Sequence, residues 1–339
     1  MTVTWKTFLI TASLALIFSA SVKAADSDAS SIPQKSIAIK KEDVLQGEGD
    51  RGPSSEEDRR VVAPPGADSF EEKSVVLEFL QTHVDKEANE ENIKNISELS
   101  FSLDSESLND EEAKQLGLIL GSGILPVKNL DLEYSGISEK GMVSIWEGVE
   151  RGKSPSTLTS LSLSMFEKQE GTIAALCKTM RSGNLSFLQI LDLRETHMGN
   201  KGAMDLAHVF TLKKLQALIC LSLGEIDDGG DKIEFAGAQA IGKALELSKP
   251  SFLEEFTFYG GNILGKGLML LHETVNVIPS LKYFDLGKTR VTNNMVWDIF
   301  RTKMERLGWK RSDNLEIWKK KEDKEQVSSP CEGNADSLE

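Results

Sequence analysis

The residues of this 339-residue chain that could do chemistry are four histidines, three cysteines and one acidic, glycine-rich run, and their spacing gives them little to do. His83, His197, His208 and His272 are far apart, and no H-x-x-x-H pair exists to hold a catalytic zinc ion. HETV, starting at His272, lacks the second histidine and reads as a helix surface. A cysteine nucleophile needs a neighbouring base to form its thiolate; none is apparent for Cys220, which reads as a structural or spectator thiol. DDGGD at 227–231 has the acids and glycines of a calcium loop without the EF-hand spacing, and reads as a solvated insertion. No enzyme activity, metal or cofactor is therefore expected.

Composition narrows the partners. The formal net charge is −14, and charged residues make up 27% of the chain. The first 24 residues carry Lys6, an apolar run over 8–18 and a small-residue V-K-A site, which reads as a secretory signal peptide. Its removal takes away Lys6 and Lys23 and no acid, moving the charge to −16. Such a chain repels nucleic acid and anionic membrane and favours basic partners. It is expected to be secreted or periplasmic, with no membrane insertion after signal cleavage. Cys177, Cys220 and Cys331 are too few for a disulfide framework, which leaves open one pair or an intermolecular bridge through Cys331. Residues 25–68, rich in Ser, Asp, Glu, Gly and Pro, read as a disordered linker, and 319–339 as a disordered acidic tail.

Between these ends one pattern recurs. The strand-like core L-x-x-L-x-L and its variants begin at Ile96, Val127, Leu158, Leu188, Leu218, Leu253 and Leu281, separated by 31, 31, 30, 30, 35 and 28 residues. Behind each core come a polar break and a helical apolar pattern, such as Ala203, Leu206, Ala207 and Phe210. Gly141, Gly202, Gly237 and Gly267 open helices where a side chain is expected to crowd the neighbouring repeat. Seven units at a nearly constant period signal a solenoid.

These units resemble the leucine-rich repeats of the ribonuclease-inhibitor-like subclass, with one strand and one helix each. The resemblance implies an α/β solenoid over 96–318: a curved horseshoe with a parallel sheet on its concave side and helices on its convex side. Residues 69–95 read as an N-terminal helical cap with Val75, Val76, Phe79 and Leu80 turned inward. WKRSDNLEIWKK from Trp309 is expected to add one last strand, with Ile317 and Trp318 covering the final repeat.

Function then falls to what the strands display. With the leucines inward, the alternating residues line the concave face. Among them are Asp131, Glu133, Asp192, Arg194, Glu255, Tyr259, Tyr283 and Asp285, five acids against one arginine with two tyrosines toward the end. The expectation is a protein-interaction scaffold that holds a basic protein partner on this face, with the tyrosines as anchors. The alternative is a structural envelope component without a dedicated partner, in which the aspartates merely solvate the sheet.

Overall fold

The structure, a computed structural model, describes residues 68–101, 107–152, 155–165, 168–225, 232–289, 294–312 and 317–320. The signal peptide, almost all of the linker, the tail beyond Lys320 and the DDGGD run lie outside these residues. Each leucine-rich core is a short strand, and each stretch behind it a helix. In chain order these are α1 (Asp68–His83), β1 (Glu98–Ser100), α2 (Asp110–Ser122), β2 (Asn129–Glu133), α3 (Glu139–Glu150), β3 (Ser160–Ser164), α4 (Glu170–Ser182), β4 (Ile190–Arg194) and α5 (Gly199–Thr211). Then follow β5 (Cys220–Gly224), α6 (Phe235–Ser248), β6 (Glu255–Tyr259), α7 (Leu264–Val277), β7 (Tyr283–Asp285), α8 (Asn294–Arg306), β8 (Trp309–Arg311) and β9 (Ile317–Lys320).

Strands β1 to β7 pair in sequence order, all parallel, and the sheet ends with β9 and then β8, both antiparallel to their neighbours. This is an α/β architecture of stacked strand–helix units. Its register follows from burial. Leu99, Leu130, Leu161, Leu191, Leu221, Phe256, Phe284 and Trp318 stand opposite one another across eight strands, and all are buried. A slip of one residue would turn that row to water, at about 1.5–3 kcal/mol for each large apolar side chain. Toward the C-terminus aromatic rings replace the leucines, with Phe256 stacked on Phe284 at 5.6 Å and Phe300 edge-on to Trp318 at 5.6 Å.

The helices pack on one face of the sheet, and α2 and α3 meet backbone to backbone. A Cβ at Gly148 would lie 2.4 Å from the carbonyl carbon of Gly117, and one at Gly121 would lie 2.5 Å from the Gly148 oxygen. For the four glycines singled out in the sequence the crowding is first within the repeat. The nearest atom to an added Cβ belongs to Ile137, Met198, Ile233 or Ile263, four residues back, and the neighbouring unit comes second. Polar side chains tie the units together where strands and helices end. Asn184 Nδ2 donates to the carbonyls of Val149 (2.7 Å) and Glu150 (2.8 Å), and Thr289 Oγ1 donates to that of Phe258 (3.1 Å).

Both ends of the repeat array are covered. In α1, Val76, Phe79 and Leu80 are buried, whereas Val75, expected inward, is 48% exposed on the outer side of the helix. At the other end the single expected strand is an antiparallel hairpin. β9 inserts between β7 and β8 and buries Trp318, while Trp309 is buried from β8. Strand alternation then puts Ile317 and Lys319 on the face opposite Trp318, so Ile317 does not cover the last repeat. Lys319 and Lys320, assigned from sequence to the tail, belong to this strand.

Candidate functional site

Among the described residues no further helix or strand lies on the sheet face opposite the helices, and the parallel register sorts its side chains into rows. One row runs Asp131, Ser162, Asp192, Ser222, Thr257, Asp285. A second runs Asn129, Ser160, Ile190, Cys220, Glu255, Tyr283, Lys319, Lys310. A third holds Glu133 with Ser164 on the next strand, and, further along, Arg194, Gly224 and Tyr259. All eight residues expected to bind a partner therefore lie on this one face.

Their charges are not all idle. The aspartates of the L-D-L cores accept the backbone N–H two residues on. Asp131 takes it from Glu133 (2.9 Å), Asp192 from Arg194 (3.0 Å) and Asp285 from Gly287 (2.7 Å). These aspartates thus brace the strand ends as well as meeting solvent. Arg194 Nε also donates to both oxygens of Asp192 at 3.0 Å, a pair largely satisfied within one strand. Glu133 differs. It accepts a short hydrogen bond from Ser162. Burial, followed by the charges of Asp131 and Asp192, holds its carboxyl above the usual carboxylate range against that bond and the opposing Arg194. Three carboxylates are thus held together at the β2–β4 end with one guanidinium among them.

The β6–β9 end is different. Lys319 sits over the Tyr283 ring at 5.1 Å, and Lys288 over the Tyr259 ring at 5.8 Å. Tyr259 also lies close to Gly287, where a Cβ would fall 2.3 Å from its Cε2. Burial, then Asp285, pushes the Tyr259 hydroxyl pKa up. The two tyrosines expected as open anchors therefore already carry intramolecular cations, and the face grades from acidic at β2–β4 to basic at β9–β8. The alternation Ile317, Trp318, Lys319 was the sequence signal for this, since an inward tryptophan sends the next lysine outward.

The residues weighed for catalysis have other places. His197 Nδ1 lies 3.0 Å from Glu225 Oε2, and its backbone N donates to Glu225 Oε1 at 2.6 Å, so the pair fastens two successive loops. His272, expected on a helix surface, is buried between α7 and α8, with its ring edge-on to Phe300 at 6.3 Å. Leu268, Leu271 and Val275 define the inward face of α7, and position 272 falls on it. Cys220 is disulfide-bonded rather than a spectator thiol. Among the described residues no group of three or more His, Cys, Asp or Glu side chains is arranged to hold a metal ion, and no helix is long and apolar enough to cross a membrane. No family model matches the chain, and no curated protein is significantly similar to it.

Proposed function

We propose that this chain is an exported, non-enzymatic interaction scaffold that receives a basic protein segment on the sheet face opposite its helices, chiefly at the β2–β4 end. The observation that carries the reading is Glu133. It is half-buried beside Asp131 and Asp192, where an incoming lysine or arginine would relieve the crowding of like charge. The hydroxyls of Ser162 and Ser222, in the same row as the aspartates, add hydrogen-bonding groups beside them.

The test is binding of a fluorescent deca-lysine peptide to the reduced chain, with deca-glutamate as control, at 0.1 M and 1 M salt. The Debye length falls from about 10 Å to about 3 Å over that range, so binding at the acidic end should weaken and its association rate should fall most. The triple variant Asp131→Asn, Glu133→Gln, Asp192→Asn keeps the hydrogen-bond acceptors and removes the charges. It should lose most of the affinity at nearly unchanged Tm. Undiminished binding by this variant would place the site elsewhere, with the apolar groove lined by Phe235, Leu264, Met269, Leu270, Val296 and Ile299 the next surface to probe.

A further inference from the structure

We propose that the outer surface of α7 and α8 is a homodimer interface, in which a two-fold axis sets Lys266 of each copy against the partner's Glu273. The surface is an apolar groove of about 850 Å³ lined by Phe235, Leu264, Met269, Leu270, Val296 and Ile299. Leu264 is 53% exposed and Ile299 47%. A contiguous apolar surface of this kind, with charges at its rim, is the usual mark of a protein contact.

The other repeats show what is unusual about α7. Gly141, Gly202, Gly237 and Gly267 mark the same place in α3, α5, α6 and α7. Two and three positions further on stand Val143 and Ser144 in α3, Met204 and Asp205 in α5, and Gln239 and Ala240 in α6, each pair with a polar member. In α7 they are Met269 and Leu270, two large apolar side chains in the groove. The charges differ as well. Lys140 and Lys201, each just before its glycine, hold Asp110 at 2.9 Å and Glu170 at 3.0 Å, and Glu147 is held by Arg151 at 3.1 Å. Lys266 and Glu273 take the corresponding places in α7 and are exposed, yet neither has an ion-pair partner among the described residues.

A second copy satisfies all four residues at once. Lys266, Met269, Leu270 and Glu273 stand at i, i+3, i+4 and i+7, so they share one face of α7. The midpoint between the two charges falls between Met269 and Leu270. Two copies of α7 laid antiparallel about a dyad at that midpoint therefore meet Met269 to Leu270 and Lys266 to Glu273, with every contact made twice. A parallel pairing in register would instead set Lys266 on Lys266. Leu264, Val296 and Ile299 flank the centre, which gives the contact an apolar middle and a charged rim. The acidity of the chain is not concentrated here, since α7 and α8 carry Lys266, Arg301, Lys303 and Arg306 against Glu273, Asp298 and Glu305. Charges farther off than about 10 Å are largely screened at about 0.1 M salt. All the groove residues lie on helices, so the dimer leaves the other face of the sheet free and does not depend on the binding role proposed above.

Sedimentation equilibrium of the full chain over about 1–100 µM, in about 0.1 M salt with dithiothreitol to remove any disulfide-linked dimer, should show a monomer–dimer equilibrium. Lys266→Glu and Glu273→Lys should each weaken it at least about tenfold, because either change sets two like-charged pairs across the axis. Mixed one to one, the two variants should associate about as tightly as the parent, since both cross-axis pairs are then opposite again, and the double variant should do the same. Both positions are exposed, so Tm should not move. A parent that stays monomeric at the highest concentration, single variants that dimerise like the parent, or single variants that mixing does not rescue would each overturn the proposal. Oxidation of Met269 by peroxide, read as sulfoxide by mass spectrometry, should be about threefold or more slower at the highest concentration than at the lowest. Equal protection at both would mean that something other than a second copy covers the groove, and equally fast oxidation that nothing does; either result refutes the dimer.

Discussion

Replacing Gly148 with alanine sets two effects of opposite sign against each other. In a helix interior alanine is favoured over glycine by about 1 kcal/mol. At Gly148, however, the new methyl would lie 2.4 Å from the Gly117 carbonyl carbon and 2.7 Å from the Leu118 nitrogen, where ordinary carbon contacts are about 3.5–4.0 Å. Both obstacles are backbone, so no rotamer change relieves the overlap, and α2 and α3 must part by about 1 Å. That separation loosens Leu116, Leu120, Ile145 and Val149, all buried at or near the seam. Overpacking of this kind costs about 1–3 kcal/mol, and a backbone clash belongs at the top of the range. The net loss is then about 2 kcal/mol, which lowers Tm by about 4–8 °C for a domain of this size. Gly171→Ala is the internal control. The first atom its Cβ meets, at 2.9 Å, is the Glu139 carboxylate oxygen at the end of a flexible side chain, which can give way but also accepts the Gly171 N–H, so in this first helical turn the two effects nearly cancel and Tm should change by less than about 2 °C. Thermal unfolding followed by circular dichroism at 222 nm reads both variants. A Gly148→Ala chain as stable as Gly171→Ala would show that the helices part freely and that the close seam contributes nothing.

Trp318→Ala should cost about 3–5 kcal/mol, because it empties the C-terminal end of the buried row; a loss below about 1 kcal/mol in urea unfolding would mean that the hairpin does not cover the core. His272 has its pKa lowered by burial and then by Lys303, partly offset by Glu273, so the folded chain binds fewer protons there than the unfolded chain. Its contribution to stability is complete above about pH 6.5 and is lost as pH falls from there toward the folded value, so Tm at pH 7.5 minus Tm at pH 5.5 should be smaller in His272→Leu than in the parent. Deleting one whole unit, residues 158–187, should leave a shorter folded array, because each unit packs on its neighbours; cooperative unfolding that survives this deletion but not one of 173–202, cut across a unit, is the outcome to look for.

The repeat was legible in the sequence because its physics is local. A period-2 leucine pattern followed by a 3.6-residue pattern defines a strand and a helix, and neither can bury its apolar side except against the next unit. The same alternation put Asp131, Glu133, Asp192, Arg194, Glu255, Tyr259, Tyr283 and Asp285 on one face without any coordinates. What those side chains do there depended on residues distant in the chain. Sequence spacing alone did not show that Lys319 and Lys288 would sit over the two tyrosines, since that required β9 to fold back beside β7. His272 looked like a surface residue because polarity outweighed its helical phase in the reading, whereas packing against Phe300 decided its burial. The α2–α3 seam escaped because Gly117, Gly121 and Gly148 mark nothing until two helices are brought together. Strand pairing then set which glycine faces which, and close contact between backbones exists only in that tertiary arrangement.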